Sequence, residues 1–178
     1  MKPLLLREAP AIRQMRSSDI EALASIVEAA HGGAVAAPER YRRGVISDRL
    51  HFSSADPSCF ALVADIGGAP VGLGLLTGVE WASAFWAMTL GAVHPVFQGR
   101  GIGERLIEAR LSIAQAHGAG MVAVSTHSPR RFERHGFDVV ETNPVSGASF
   151  LVRSFKRDLG ADVALAEGKF LLMARDDQ

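Results

Sequence analysis

Leu90-Gly91-Ala92-Val93-His94-Pro95-Val96-Phe97-Gln98-Gly99-Arg100-Gly101-Ile102-Gly103-Glu104-Arg105-Leu106 is the stretch on which the fold of this chain turns. The run over residues 84–93 is almost wholly apolar, as a strand covered on both faces would be. Pro95 lacks the N–H that a continued ladder would need, so the strand ends at Val93. A glycine-dense loop then opens straight into a helix whose apolar face is Ile102, Leu106, Ile107, Ala109, Ile113 and Ala116, with His117-Gly118 as its stop. Such a loop aims several backbone N–H groups out of the positive end of a helix, and its glycines let an anion come close. It predicts a phosphate site.

Of two familiar phosphate loops, one fails and the other fits poorly. A P-loop needs Gly-Lys-Ser/Thr, but Gly103 is followed by Glu104, and no lysine lies between Lys2 and Lys156. A dinucleotide fingerprint spaces its glycines as G-x-G-x-x-G, whereas Gly99, Gly101 and Gly103 run G-x-G-x-G with no βαβ unit before them.

Downstream of the long helix, residues 121–125 read as a short buried strand. Ser128-Pro129 offers an N-cap and a first-turn proline to a short helix ending at Gly136, and residues 137–140 resume a strand. Upstream, residues 60–64 and 71–76 flank a glycine-rich hairpin turn at Gly67-Gly68. Residues 11–16 alternate as a half-buried strand, and Ser18 with Glu21 has the spacing of a capping box. Ile20, Leu23, Ile26 and Val27 carry the first helix to about Ala30. Pro38 then opens a second helix to about Leu50, and residues 53–58 are loop chemistry. Residues 142–167 read as an insertion before a last strand at 169–175. Leu151, Val152, Phe155 and Leu159 favour a helix there over the strand that Phe150-Leu151-Val152 alone would suit. No repeat or linker interrupts the pattern, so one domain over 1–178 is expected.

Composition bounds the functions open to this chain. With 48% hydrophobic and 21% charged residues over 178 positions, it is an ordinary globular domain able to bury a sizeable core. Nineteen basic and nineteen acidic residues cancel, which removes the global electrostatic case for nucleic acid or an anionic membrane. A single cysteine, Cys59 in an apolar run, excludes an internal disulfide and a cysteine-rich zinc site, and reads as core packing in a reducing compartment. No window approaches the roughly 18 apolar residues of a spanning helix, and the apolar stretch at the N-terminus is too short for a signal peptide. A cytoplasmic protein is expected.

Gln98-Gly99-Arg100-Gly101-Ile102-Gly103 matches Q/R-x-x-G-x-G/A, and through it the chain resembles the GNAT superfamily of CoA-dependent N-acetyltransferases. Val93 through Gly103 follow the family's V-x-P-x-Y/F-Q-G-x-G-I-G run, with Phe97 in the aromatic place. Ser128-Pro129-Arg130-Arg131-Phe132-Glu133-Arg134-His135-Gly136-Phe137 is similar to the D/H-P-x-Y-Y-x-R-F-G-F form of a widespread bacterial branch. The resemblance spans residues 11–175. It implies an α/β fold with a mixed, mostly antiparallel central sheet of about six to seven strands, flanked by helices and splayed at the acyl-CoA site. It also implies acetyl-CoA as cosubstrate and no metal. The pantetheine arm would pair with the backbone of Ala92 and Val93, and the pyrophosphate would sit on the N–H groups of Gln98, Gly99, Arg100, Gly101, Ile102 and Gly103. Gln98 would steady the loop. Arg100 would either bond a phosphate or stay solvated.

Many relatives use a carboxylate on the buried strand and a tyrosine on the short helix, where this chain has Ala87 and Phe132. Amine acylation needs a neutral amine, a stabilised oxyanion and a leaving thiolate, so replacements are sought. His127 is the candidate base or proton relay, with Glu80 and His94 as further bases. Ser128 is an N-cap whose hydroxyl would also serve the thiolate, and Tyr41, the chain's one tyrosine, is a minor substitute. Trp81, Phe85, Trp86 and Phe52 are weighed as acceptor lining against core packing. Arg153, Lys156 and Arg157 read as a solvated basic face. The acceptor is a small-molecule or peptide amine, nucleic acid and membrane are not partners, and a homodimer is kept open. Missing acid and base groups leave a second reading, an acyl-CoA-binding sensor or interaction module without turnover.

Overall fold

The computed structural model describes residues 9–32, 38–79 and 82–155. Their elements are β1 (Ala11–Gln14), α1 (Ile20–Ala30), α2 (Arg43–Ala55), β2 (Cys59–Ile66), β3 (Ala69–Val79), β4 (Ala82–Val93), α3 (Ile102–Ala116), β5 (Met121–Thr126), α4 (Pro129–Glu133), β6 (Asp138–Thr142) and β7 (Ser149–Ser154). The seven strands form one sheet in the order β1-β2-β3-β4-β5-β7-β6. β4 and β5 run parallel, and the other neighbouring pairs of the described sheet are antiparallel.

Helices cover both faces, which is why the central strands read as continuous apolar runs. On one face Ile20, Leu23 and Val27 of α1 and Ile46 and Leu50 of α2 pack on Ala61, Val63, Leu73, Leu75 and Ala92. On the other, Ile102 and Leu106 of α3 pack on Leu62, Ala64 and Val71. Further along α3, Ile107, Leu111 and Ala114 meet Leu76, Trp86, Met88, Val122 and Val124. The alternation Ala61/Val63 against Leu62/Ala64 is the period of two expected of a strand buried on both sides. Each fully buried leucine or isoleucine here contributes about 1.5–3 kcal/mol. The β2–β3 hairpin turns at Gly67 and Gly68, both at positive φ as a tight two-residue connection requires. Among the described residues no helix is long and apolar enough to cross a membrane.

Three expectations change. The first helix is not capped by Ser18: a 3-10 turn, Ser17–Asp19, precedes it, and the Asp19 carboxylate accepts from the Arg16 N–H at 2.7 Å. The second helix does not start at Pro38 or stop at Leu50. A 3-10 turn at Glu39–Tyr41 follows Pro38, and α2 continues to Ala55 because Ile46, Leu50 and Ser53 lie on one buried stripe. The helix expected around residues 150–155 is the strand β7, since the free edge of β5 needs a partner and Ser149–Ser154 supplies it along six residues. The anticipated last strand at 169–175 lies outside the described residues.

Candidate active site

Two local irregularities open the sheet at its centre. β4 pairs with β5 only from Phe85 opposite Met121 to Met88 opposite Val124, so the last part of β4 has no partner on that side. On its other edge β4 bulges: Leu73 faces Ala92 but Leu75 faces Thr89, leaving Leu90 and Gly91 opposite Gly74 alone. Leu90 takes φ +46°, a strained value for a leucine. A cavity of about 840 Å³ occupies the gap. It is lined from the α3 face by Leu106, Ile107 and Arg110 and from the α1–α2 face by His31, Tyr41 and Arg49, so it passes through the sheet where β4 and β5 part.

The glycine loop forms one mouth of this cavity. Gly99 and Gly101 sit at φ +76° and +74°, and a Cβ on either would meet open space. α3 begins at Ile102, so its first N–H groups have no carbonyl behind them, and those from Gly99 to Gly103 find no acceptor among the described residues. Gln98 behaves as expected in one respect: its side-chain Nε2 donates to the Val93 carbonyl at 3.0 Å and ties the loop to the strand end. Its backbone N–H, however, is used inside the preceding turn, donating to Pro95 O at 3.2 Å. The Arg100 side chain folds away from the cavity, donating to Val96 O at 3.2 Å and stacking on the Phe97 ring at 5.2 Å. The cation at this mouth is Arg131 of α4, whose Nη1 would lie 3.6 Å from a Cβ on Gly103. Glu104 stands beside it, bonded to His135 Nε2 and 3.9 Å from both Arg131 and Arg134, so its charge is met by cations. No pattern in the sequence singles out Arg131, because the approach of α4 to the start of α3 is a tertiary fact.

His127 and Ser128 line the cavity just past β5. His127 Nε2 lies 3.1 Å from Ser146 O. A carbonyl only accepts, so Nε2 carries the proton and Nδ1 keeps a free lone pair. Ser128 holds the N-cap position of α4, yet its hydroxyl makes no capping bond. His94 caps the turn at Pro95–Phe97, where its Nδ1 accepts from Val96 N–H, and it stays off the cavity wall. Ala87 and Phe132 both face the cavity, and Glu80 and Trp81 lie outside the described residues.

None of the other aromatics weighed as acceptor lining reaches the cavity. Phe85 is buried with Met121 and Ala123, Trp86 packs beside Phe60 and His117, and Phe52 is 76% exposed. Tyr41 and His31 line it instead, stacked 3.7 Å apart and 4° from parallel. Burial, and then the charge of Arg40, hold the His31 imidazole below its usual range, so it is neutral at pH 7. Of the three basic residues read as a solvated face, Arg153 is instead partly buried and donates to His135 O, and the other two lie outside the described residues. Among the described residues no group of three or more His, Cys, Asp or Glu could hold a metal ion.

Residues 20–137, more than half of the chain, match the profile of the Acetyltransferase (GNAT) family. An amino-acid acetyltransferase of Mycobacterium tuberculosis is 28% identical over 160 residues, covering 89% of this chain and 83% of that protein. The structure of yncA from Salmonella typhimurium, with its cofactor acetyl-CoA, aligns at TM-score 0.69 and 20% identity over 84% of this chain and 96% of the other. A GNAT family acetyltransferase from Brucella melitensis in complex with acetyl-CoA aligns at 0.65 and 24% identity over 84% and 90%. Rv2747 from Mycobacterium tuberculosis, in complex with CoA and NLQ, aligns at 0.66 and 22% identity over 83% and 100%. The fold is common to this chain and the three solved structures.

Proposed function

Because this chain belongs to the acetyltransferase (GNAT) family, we propose that it moves an acetyl group from acetyl-CoA to a primary amine by direct transfer, within one domain spanning 1–178. The observation that carries this reading is the β4–β5 gap, which opens at one end onto a loop of unpaired N–H groups at the start of α3. The fit to acetyl-CoA is specific. An arm carrying amides can complete the interrupted ladder along Ala92 and Val93, and a pyrophosphate needs donors such as those from Gly99 to Gly103 with room where the glycines lack a Cβ. Bound there, acetyl-CoA would supply an activated acyl carbon. The loop then acts through its backbone, and Arg131 adds a charge-assisted bond.

The acceptor enters from the α1–α2 face, where Arg49 offers a cation to a substrate carboxylate. The kinship with an amino-acid acetyltransferase supports a free amino acid as the acceptor class. His127 Nδ1 takes the proton from the incoming ammonium, while the Ser146 carbonyl holds the ring in the competent tautomer. The Ser128 hydroxyl, free of the helix cap, donates toward the departing sulfur. Direct transfer needs no nucleophile from the protein. The half-buried Cys59, which bonds Thr77 Oγ1, lies off the cavity wall in keeping with that.

The deciding experiment pairs calorimetry with a thiol-release assay across an amine panel that includes amino acids. Acetyl-CoA at a hundred times its dissociation constant is expected to stabilise the protein by about 2.7 kcal/mol. No stabilisation at millimolar acetyl-CoA would sink the reading. Tight binding without acceptor-dependent CoA release would favour a sensor module, the alternative that Ala87 and Phe132 keep alive.

Two variant sets refine the roles. Arg131→Ala is expected to weaken acetyl-CoA binding by about 1.5–3 kcal/mol, whereas Arg100→Ala, whose side chain lies on Phe97, changes it by less than about 0.5 kcal/mol. Isothermal titration of the two variants side by side checks this. His127→Gln keeps a ring-sized amide without a basic nitrogen, so kcat should fall by about 10²–10⁴ with the dissociation constant of acetyl-CoA unchanged. A kcat within twofold of the parent would remove His127 from the mechanism.

A further inference from the structure

Arg110 is a charged side chain in the wrong place for a structural residue. It lies on α3, is 3% exposed, and lines the cavity beneath the β4 bulge. Three features of the sheet make room for it. Gly74 lies opposite the bulge, and a Cβ there would come within 2.8 Å of the guanidinium carbon. Gly91 leaves open the space beside Nη2, which would lie 3.7 Å from a Cβ at that position. The bulge also leaves Leu75 O to accept from Nη1 at 3.3 Å, while Nε donates to Leu106 O at 3.0 Å. Both partners are neutral carbonyls. Among the described residues no carboxylate pairs with Arg110 and Nη2 has no hydrogen-bond partner. A buried cation without a counter-ion is costly unless an anion arrives during function.

We propose that Arg110 is the cation against which the thiolate of coenzyme A leaves, the tyrosine position of the short helix being held by Phe132. The assignment rests on the reading above that acyl-CoA lies in the β4–β5 gap. His127 takes one proton from the ammonium; the neutral nitrogen then bonds the acetyl carbon, the C–S bond breaks with its electron pair coming to rest on sulfur, and the second proton that the nitrogen sheds in becoming an amide passes to solvent. Arg110 donates no proton in this step; its fixed charge and free Nη2 donors meet the sulfur's new charge in a site lined by the apolar side chains of Met88, Ile107 and Val124. Burial pushes Arg110 down to about 10, which leaves it charged at neutral pH. The other ionisable groups around the cavity do not displace it from this role. β3, β4 and β5 carry none over residues 71–79, 82–93 and 121–126. Glu104 is engaged by His135 and lies beside Arg131 and Arg134. His31, Tyr41 and Arg49 stand on the opposite face of the sheet, and His127 lies past the end of β5.

The test reads the sulfur directly. Thiolate absorbance is followed as pH is raised for free CoA and for CoA bound to the parent protein, and the affinities of CoA and desulfo-CoA are compared at a pH where the bound thiol is ionised. Bound CoA is expected to titrate about one pH unit or more below free CoA, and CoA to bind about tenfold or more tightly than desulfo-CoA. Arg110→Met should abolish both differences while leaving desulfo-CoA binding intact, and Arg110→Lys should restore part of them. A bound thiol that titrates at or above the free value in the parent overturns the assignment even if Arg110→Met does not fold. So does an Arg110→Met variant that folds, loses turnover and keeps the parent's thiol titration, because Arg110 would then only brace the bulge. If neither CoA nor desulfo-CoA binds the parent, the cavity reading fails and this assignment with it.

Discussion

Gly101→Val will abolish acetyl-CoA binding in a protein that remains folded. Two effects coincide at this residue. Its φ of +74° lies in the left-handed region, which a β-branched side chain adopts only with strain of about 2 kcal/mol. Its missing Cβ also opens onto empty space at the mouth of the cavity, where a side chain would occupy the volume that phosphate oxygens need. Strain alone would cost stability, a few degrees in Tm for a chain of this size, without saying anything about the ligand. Gly118 separates the two. It ends the same helix at the same φ, +74°, with nothing within 4 Å of its Cβ, and it lies off the cavity wall. Gly118→Val should therefore lose a similar amount in thermal unfolding and still titrate with acetyl-CoA like the parent, while Gly101→Val shows no heat of binding. Parent-like binding by folded Gly101→Val would place the phosphate loop elsewhere.

Arg13→Met should destabilise the described fold by about 3–5 kcal/mol. Arg13 joins β1, the turn before α1 and β2: its guanidinium donates to Asp19 at 2.6 and 2.9 Å and to Asp65 at 2.8 and 3.0 Å. Both carboxylates are largely shielded from water, with side chains 8% and 11% exposed, so removing the cation leaves two poorly solvated anions without their common partner. The bond from Arg13 holds the Asp19 carboxyl below the usual carboxylate range, with burial opposing it. A carboxyl lowered in the folded state adds stability that is present above its unfolded value and is lost as pH falls through the folded one. The parent should therefore lose stability in acid through this cluster. The variant should gain relative to it, as protonation relieves the two unpaired anions. Urea unfolding at about pH 7 and about pH 2.5, below the ordinary carboxylate value, checks both signs, and a difference between parent and variant that widens in acid would contradict the account.

Much of the architecture was open to reading because its signals are local. Pro95 ends β4 by lacking a donor, and Gly99 and Gly101 occupy backbone conformations that other residues resist. The apolar period of α3 follows from 3.6 residues per turn, whatever surrounds the helix. β7 is not legible in the same way, because Leu151, Val152, Phe155 and Leu159 fit a helical face while Phe150-Leu151-Val152 alone suits a strand, and the choice falls to the exposed edge of β5, which is remote in sequence. In α3 the expected face included Ala116, which the fold leaves in solvent, and omitted Arg110, which it buries. No local pattern turns an arginine inward. A slot made by the β4 bulge, with Gly91 inside it, and by Gly74 on β3 does.

The candidate site divides along the same line. Sequence alone determined the glycine loop, the strand that feeds it and the absence of a carboxylate at Ala87 and a phenol at Phe132, since each is a matter of which atoms a given position carries. The parting of β4 from β5, the approach of Arg131 to the start of α3, the withdrawal of Arg100 onto Phe97 and the burial of an unpaired charge at Arg110 were decided only in the tertiary structure. Each depends on distances between segments far apart in the chain, which packing sets and residue type does not.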